Sequence, residues 1–209
     1  MIIGLIGLIG SGKSTVGELL KKDHGFTPEA FAKPLKDAVS IIFGWDRKLL
    51  EGDTDESRRW RDTVDDYWAK ELNKPEFTPR LALQWMGTEA GRQIFGNNLW
   101  TSSLINRLDL KKNYVITDVR FENEIYALNK IAGAHIVRVK RGPDPEWMQM
   151  AIMYKQNRYL PEIREHIFKQ LPHISEWDWC NSHVEMVIKN DYSLDSLKSI
   201  VAKVVEFFK

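Results

Sequence analysis

The chain opens with an apolar run, and its later apolar runs are short and well separated. Residues Ile2 to Ile6 are rich in β-branched side chains and are followed by glycine, which is typical of a buried parallel strand. The same pattern predicts strands at 114–117, 135–140 and 184–189, and a further strand is expected to end at Phe31-Ala32. Helical periodicity predicts helices over residues 13–23, 34–43, 57–72, 78–94, 99–108, 121–132 and 193–208.

This alternation of strands and helices predicts an α/β fold of three layers, with a parallel sheet covered by helices on both faces. Two stretches interrupt the alternation. The pattern makes residues 45–110 almost all helix and residues 142–183 irregular. We expect both to be insertions at the carboxyl edge of the sheet, where ligands bind in folds of this class.

Composition excludes several classes of protein. The 209 residues carry 30 Lys and Arg against 29 Asp and Glu, and this near-neutral charge argues against binding a nucleic acid polymer through the overall field, while a local basic cleft stays open. No apolar run approaches the roughly 20 residues of a membrane span, and the amino-terminal run lacks the basic residues of a signal peptide. The single cysteine, Cys180, excludes a disulfide framework, argues against a cysteine-based zinc site and fits a reducing compartment.

The clearest motif is Gly7-Leu8-Ile9-Gly10-Ser11-Gly12-Lys13-Ser14, which matches the phosphate-loop pattern G-x-x-x-x-G-K-[ST] between a strand and a helix. In such a loop, backbone N–H groups at the helix amino end face phosphate oxygens, the lysine reaches the β- and γ-phosphates, and the serine hydroxyl is a Mg²⁺ ligand. The alternative is a glycine-rich turn that binds nothing. The residues predicted to bind nucleotide are Gly10, Ser11, Gly12, Lys13, Ser14 and Thr15.

An acidic residue, Asp118, follows the apolar run at 114–117. This arrangement resembles a Walker B carboxylate, which would bind Mg²⁺ together with Ser14. The alternative is an ordinary helix N-cap.

A second polar site is predicted in the helical stretch. Arg80, Gln84 and Thr88 are spaced at i, i+4 and i+8, which places them on one face of a regular helix. Lys36 lies two residues after Pro34, near a helix amino end. The alternative for all four is a solvated surface.

Two further residues are candidates for the same chemistry. Arg120 follows Asp118 by two residues at the same predicted sheet edge, and its alternative is an ion pair with Asp118, Glu122 or Glu124. Trp100 could stack on a base, although most of the eight tryptophans must be structural.

In order along the chain, Phe31-Ala32-Lys33-Pro34-Leu35-Lys36-Asp37, Arg80-x-x-x-Gln84-x-x-Gly87-Thr88, Trp100, Ile116-Thr117-Asp118-Val119-Arg120, His173-Ile174-Ser175-Glu176 and Val187-Ile188-x-Asn190-Asp191 resemble the phage deoxynucleoside monophosphate kinases. The resemblance spans nearly the whole chain. It implies Mg²⁺-dependent transfer of the ATP γ-phosphate to a deoxynucleoside monophosphate, a step in nucleotide biosynthesis. It also implies a cytoplasmic enzyme, in the host cytoplasm if phage-encoded, and a homodimer.

The resemblance also assigns regions and roles. It implies one P-loop kinase domain over residues 1–209, with a core at about 1–44, 111–141 and 184–209, a monophosphate-binding insertion at 45–110 and a lid at 142–183. It puts Lys36, Arg80 and Arg120 on the acceptor phosphate, where they would act with Lys13 in catalysis. It places Gln84, Thr88 and Trp100 near the sugar or base.

The predicted lid region offers candidates for an arginine that closes on the transferring phosphoryl group. Arg141 and Arg158 are the two proposed, and a solvated arginine is the alternative for each. Three tryptophans in or near this stretch are expected either to exclude water on closure or to anchor the segment to the core; they are Trp147, Trp177 and Trp179.

Two other functions fit the phosphate loop. One is a kinase with a hydroxyl acceptor, similar to dephospho-coenzyme-A kinase, in which Asp37 or Asp118 would have to act as base. The other is a nucleotide-dependent switch or assembly ATPase, for which the sequence shows no long basic face or heptad pattern. The choice of base, and of deoxyribose over ribose, stays open.

Overall fold

The computed structural model describes residues 1–209 and contains one sheet of five parallel strands, which confirms the predicted α/β fold. The strand order is β2-β3-β1-β4-β5. The strands are β1 (Ile2–Ile6), β2 (Thr27–Glu29), β3 (Tyr114–Ile116), β4 (Ala134–Lys140) and β5 (Met186–Lys189). All of the strands are parallel, so their carboxyl ends lie at one edge, where the phosphate loop, Asp118 and Arg141 follow β1, β3 and β4.

Helices make up most of the rest of the chain. They are α1 (Lys13–His24), α2 (Lys33–Phe43), α3 (Asp55–Asp62), α4 (Asp66–Glu71), α5 (Pro79–Gln84), a π-helix (Trp85–Arg92), α6 (Gln93–Phe95), α7 (Leu99–Arg107), α8 (Glu122–Asn129), α9 (Glu146–Lys155), α10 (Pro161–Gln170) and α11 (Leu194–Phe207), with 3-10 turns at Leu49–Glu51 and Ile174–Glu176. None of these helices is both long and apolar enough to cross a bilayer.

The chain divides into two compact units, the first formed by Met1–Ala30 with Leu108–Lys209 and the second by Phe31–Arg107. In the first unit, the β-branched residues of β1 are fully buried and pair with β3 on one side and β4 on the other, from Ile2↔Tyr114 to Ile6↔Arg138. Helices α1 and α11 pack their apolar faces on this sheet. The boundaries predicted for the core, the monophosphate insertion and the lid remain predictions.

The second unit is almost all helix, as predicted for this stretch, and its core is aromatic. Phe43 stacks on Trp45 with ring centroids 4.6 Å apart, and Trp60, Trp68 and Phe77 pack around them. Such offset and edge-on ring contacts add to the free energy gained by burying the rings. These tryptophans are therefore structural.

Sequence predictions fail locally at two points before residue 75. The strand expected to end at Phe31-Ala32 instead occupies Thr27–Glu29, because Gly25 takes a left-handed conformation that ends α1 and starts the strand two residues later. The single helix expected over 57–72 is two helices, because Thr63 is extended and the Asp65 carboxylate caps the next helix by accepting from Trp68 N.

The stretch 142–183 is also more regular than predicted. Helix α9 begins directly after Pro145, and Pro161 is the first residue of α10, since a proline is compatible with the first turn of a helix. Trp177 and Trp179 are only 2% and 3% exposed, and half-buried Trp147 packs in the cluster around Trp177. Trp147 and Trp177 thus pack within the segment itself, and the choice between water exclusion on closure and anchoring to the core stays open.

Candidate functional site

The phosphate loop, residues 7–12, joins β1 to α1 and depends on glycine at two close approaches. A Cβ on Gly7 would lie 2.2 Å from the carbonyl oxygen of Val139, and one on Gly12 would lie 2.2 Å from the side-chain nitrogen of Asn190. Both glycines also have positive φ angles, 141° and 101°, which other residues rarely adopt. These constraints hold the loop in a tight turn that leads into the amino end of α1.

The Lys13 ammonium lies inside the loop. Its Nζ donates to the carbonyl oxygens of Gly7 and Leu8, each at 2.8 Å. Burial, together with the nearby Arg120 guanidinium, lowers the pKa of Lys13 to about 8, while the Glu176 and Asp118 carboxylates act in the opposite direction. Three charged side chains, Arg120, Glu176 and Asp118, therefore lie near enough to Lys13 to interact with it.

Ser11 gives the loop its most direct fit to a ligand. The residue is only 4% exposed, and its Oγ is buried without a hydrogen-bond partner. A buried hydroxyl without a partner is costly, and a phosphate oxygen would satisfy it. Ser14 and Thr15, in the first turn of α1, are exposed.

Asn190 also fixes the loop, and sequence reasoning gave it no role. Its side-chain amide donates to the carbonyl oxygen of Ser11 at 2.9 Å, and its backbone N–H donates to the carbonyl oxygen of Lys140 at 2.8 Å. The end of β5 is thereby tied to both β4 and the loop. The quoted pair Asn190-Asp191 was the only sequence signal, since the bond joins residues 179 positions apart.

The candidate Mg²⁺ ligands are Ser14 and Asp118, both in the first unit. Asp118 follows β3 and is close enough to Lys13 to act on its pKa. A hydroxyl and a carboxylate are hard oxygen donors, which suit Mg²⁺ when phosphates and water complete its shell. No cluster of three or more His, Cys, Asp or Glu side chains offers a metal site built from protein alone.

Arg120 makes an ion pair that its sequence neighbours do not provide. Its Nη1 donates to the Glu176 carboxylate at 2.6 Å, a partner outside the alternative that named Asp118, Glu122 or Glu124. The buried Glu124 carboxylate instead accepts from the backbone N–H groups of Arg120 and Phe121. Because Glu176 is 56 residues away, no local spacing could have identified it.

The two lid candidates differ in position. Arg141 lines a cavity of about 110 Å³ together with the loop residues 8–11, Arg138 and Asp144. Arg158 is exposed on the turn after α9 and lines no part of that cavity. Asp144 pairs with Arg138 and Lys140, and these cations hold the pKa of its carboxyl below the usual value against the effect of burial.

Two residues predicted to bind the acceptor phosphate lie in the second unit, and each forms an ion pair with a carboxylate. Lys36 donates to Glu51 at 2.6 Å, and Arg80 forms a two-pronged ion pair with Asp62, one prong at 3.0 Å. Arg80 holds the pKa of the Asp62 carboxyl below its usual value. Phosphate binding at either residue would therefore exchange one anionic partner for another.

The residues predicted to contact the sugar or base of the acceptor lie on or beside the π-helix. Gln84 and Thr88 are exposed, but Thr88 falls in the π-helix, so the regular i, i+4, i+8 stripe expected with Arg80 does not continue to it. Trp100 is half-buried, and its indole N–H donates to the carbonyl oxygen of Gly87 at 2.9 Å. The structure thus gives Trp100 a packing role, and its contact with a sugar or base stays a prediction.

A protein of Acanthamoeba polyphaga mimivirus is 32% identical to this chain over 154 residues, which are 68% of this chain and 74% of the viral protein. Its given name proposes a deoxynucleotide monophosphate kinase. The chain belongs to the deoxynucleotide monophosphate kinase family. It is therefore a P-loop kinase, and the expected family is supported by a viral relative.

No family model matches this kinase. Dephospho-CoA kinase from Campylobacter jejuni is 14% identical, with 100% of this chain and 97% of that chain covered and a TM-score of 0.45. Shikimate kinase from Aquifex aeolicus is 15% identical, with 99% and 97% covered and a TM-score of 0.42.

Proposed function

We propose that this kinase transfers the γ-phosphate of ATP to deoxynucleoside 5′-monophosphates. The observation that carries the proposal is the built phosphate loop, with Lys13 inside it and an unsatisfied Ser11 hydroxyl, in a chain whose viral relative bears a deoxynucleotide kinase name. In the proposal, the first unit binds ATP and the second unit supplies Lys36 and Arg80 for the monophosphate.

The reaction needs positive charge more than it needs a base. The second phosphate pKa of a phosphomonoester is near ~6, so the attacking oxygen is already anionic at neutral pH. The difficulty is to bring two anionic groups into line, and positioned cations meet it. We assign that role to Lys13, Lys36, Arg80 and Arg120.

Mg²⁺ would be held by Ser14 and Asp118. When bound with ATP, it neutralises charge on the phosphates. The chain's own contribution is to fix the phosphates on the loop and α1, and to place Lys13 beside them. Gln84, Thr88 and Trp100 are proposed to contact the sugar or base.

The first test is ADP formation from ATP and Mg²⁺ with each deoxynucleoside and ribonucleoside monophosphate offered singly, against a control without acceptor. We expect strong stimulation by one or more deoxynucleotides. Equal ADP release with and without acceptor would instead identify a hydrolase or switch. No ADP under any condition would also contradict the proposal.

A variant pair tests the assignment of the acceptor to the second unit. Arg80→Ala should raise KM for the monophosphate at least ~10-fold with little change in KM for ATP, since it removes a charged contact to phosphate. Arg58→Ala is the matched control, because Arg58 is an exposed arginine of the same unit paired with Asp55. Equal effects of the two variants would contradict the role of Arg80.

A further inference from the structure

The ion pair between Arg120 and Glu176 lies beside the phosphate loop. Nη1 of Arg120 lies 2.6 Å from the Glu176 carboxylate, and the two side chains are 37% and 20% exposed. Both charges are close enough to Lys13 to act on it electrostatically, with opposite signs. Glu176 is therefore one of the charged side chains that act on Lys13.

Glu176 is fixed in place from its carboxyl-terminal side. Trp177, the next residue, is buried and donates its indole N–H to the carbonyl oxygen of Pro172 at 2.9 Å. Asp178 accepts from the backbone N–H of Glu122 and from Lys155 Nζ, each at 2.8 Å. The carboxylate is thus presented by a segment that packing and hydrogen bonds hold immediately beyond Glu176.

A carboxylate at this point opposes anion binding unless a cation pairs with it. An unpaired carboxylate near a phosphate site would repel ATP, whereas one paired with a guanidinium leaves a net neutral group and a fixed arginine. A guanidinium has five N–H donors, and Glu176 accepts from one nitrogen of Arg120. The Arg120 side chain is 37% exposed, so its other N–H groups would reach a phosphoryl oxygen in an orientation that the ion pair sets.

We propose that Glu176 is a positioning residue, which orients the Arg120 guanidinium for the phosphoryl group during transfer. The inference rests on the ATP-binding half of the proposed function. It makes Glu176 act through Arg120 and not by contact with substrate. Loss of the carboxylate should therefore impair turnover more than nucleotide binding.

The first experiment is a double-mutant cycle on nucleotide binding, which needs no acceptor. The affinity for a non-hydrolysable ATP analogue is measured by calorimetry for the wild type, Glu176→Gln, Arg120→Ala and the double variant. We expect Glu176→Gln to bind within ~3-fold of wild type, a smaller effect than the same substitution has in Arg120→Ala. Arg120→Ala should bind at least ~10-fold more weakly, because Glu176 is left unpaired, and the double variant should recover ~3-fold or more of that loss.

The second experiment measures kcat with the best acceptor found. Glu176→Gln should lower kcat at least ~10-fold, because small misplacements of a catalytic group are costly. Glu176→Asp, which keeps the charge, should recover part of that loss. Glu165→Gln is the control, since it removes an exposed carboxylate of α10 that pairs only with Lys169.

Two results would overturn the inference. One is a Glu176→Gln effect on analogue affinity of the same size with and without Arg120, which would mean that the two residues act independently. The other is a fall in melting temperature with equal losses of affinity and kcat, which would mean a purely structural role. If no acceptor stimulates ADP release, the deoxynucleotide proposal fails, and the double-mutant cycle on analogue binding alone decides the role of Glu176. A wild type that does not bind the analogue would overturn both.

Discussion

At the scale of single residues, Asn190 is the clearest support of the phosphate loop outside the loop itself. Asn190→Ala removes the hydrogen bond to the Ser11 carbonyl oxygen, and one such bond contributes ~1 kcal/mol. We therefore expect affinity for an ATP analogue to fall ~3- to 10-fold, measured by calorimetry. Asn181→Ala is the control, because that amide pairs only with the exposed Gln156. An unchanged affinity in Asn190→Ala would show that the loop keeps its shape without this bond.

The two lid candidates make a second prediction at the same scale. Arg141 lines the cavity formed with the phosphate loop, whereas Arg158 does not. Arg141→Ala should therefore lower kcat at least ~10-fold, in the direction expected for an arginine that stabilises the transferring group. Arg158→Ala should cost less than ~3-fold. The comparison of the two kcat values with saturating substrates decides it, and a larger loss in Arg158→Ala would reverse the assignment.

At the scale of elements, the sequence predicted the elements that local patterns specify. It did not predict where a helix is interrupted. The phosphate loop could be read from the sequence because glycine spacing and the flanking strand and helix fix its geometry locally. The break after Asp62 depends on Asp65 capping a new helix, within a run whose apolar pattern does not change. The π-helix escaped prediction for a similar reason, since its apolar residues still lie three to four positions apart.

The π-helix depends on small residues beside Trp100. A Cβ on Gly91 would lie 2.7 Å from the Trp100 ring and 2.8 Å from the carbonyl oxygen of Met86. One neighbour is a large ring and the other is backbone, so neither can give way as the end of a flexible side chain can. Gly91→Ala should lower the free energy of unfolding by roughly 1–3 kcal/mol, measured by urea denaturation. Gly87→Ala, whose Cβ would meet only the flexible end of Leu35 at 3.0 Å, should cost less. Equal stability of Gly91→Ala and wild type would show that the ring relaxes without cost.

At the scale of the whole molecule, the contacts that complete the first unit's site join residues far apart in the chain. Arg120 meets Glu176 across 56 positions, and Asn190 meets Ser11 across 179. Such pairs follow from how the strands are ordered and where the segment after α10 returns to the sheet. The loop and the fold class could therefore be predicted from the sequence. The partner of Arg120 could not, because it depends on how the whole chain folds.

Lys155 helps to hold the segment after α10 in place, and it supplies the last prediction. Its side chain is 9% exposed and binds the Asp178 carboxylate at 2.8 Å, the Asp178 carbonyl oxygen and, at 3.3 Å, Glu122. Removing it leaves Asp178 half-buried without its cation, and breaking a buried pair costs roughly 3–5 kcal/mol, an upper bound at this partly exposed site. Lys155→Ala should therefore lower the melting temperature by several degrees. Lys169→Ala, which breaks an exposed pair with Glu165, should change it little. Equal melting temperatures for the two variants would mean that Trp177 and its neighbours hold the segment without this ion pair.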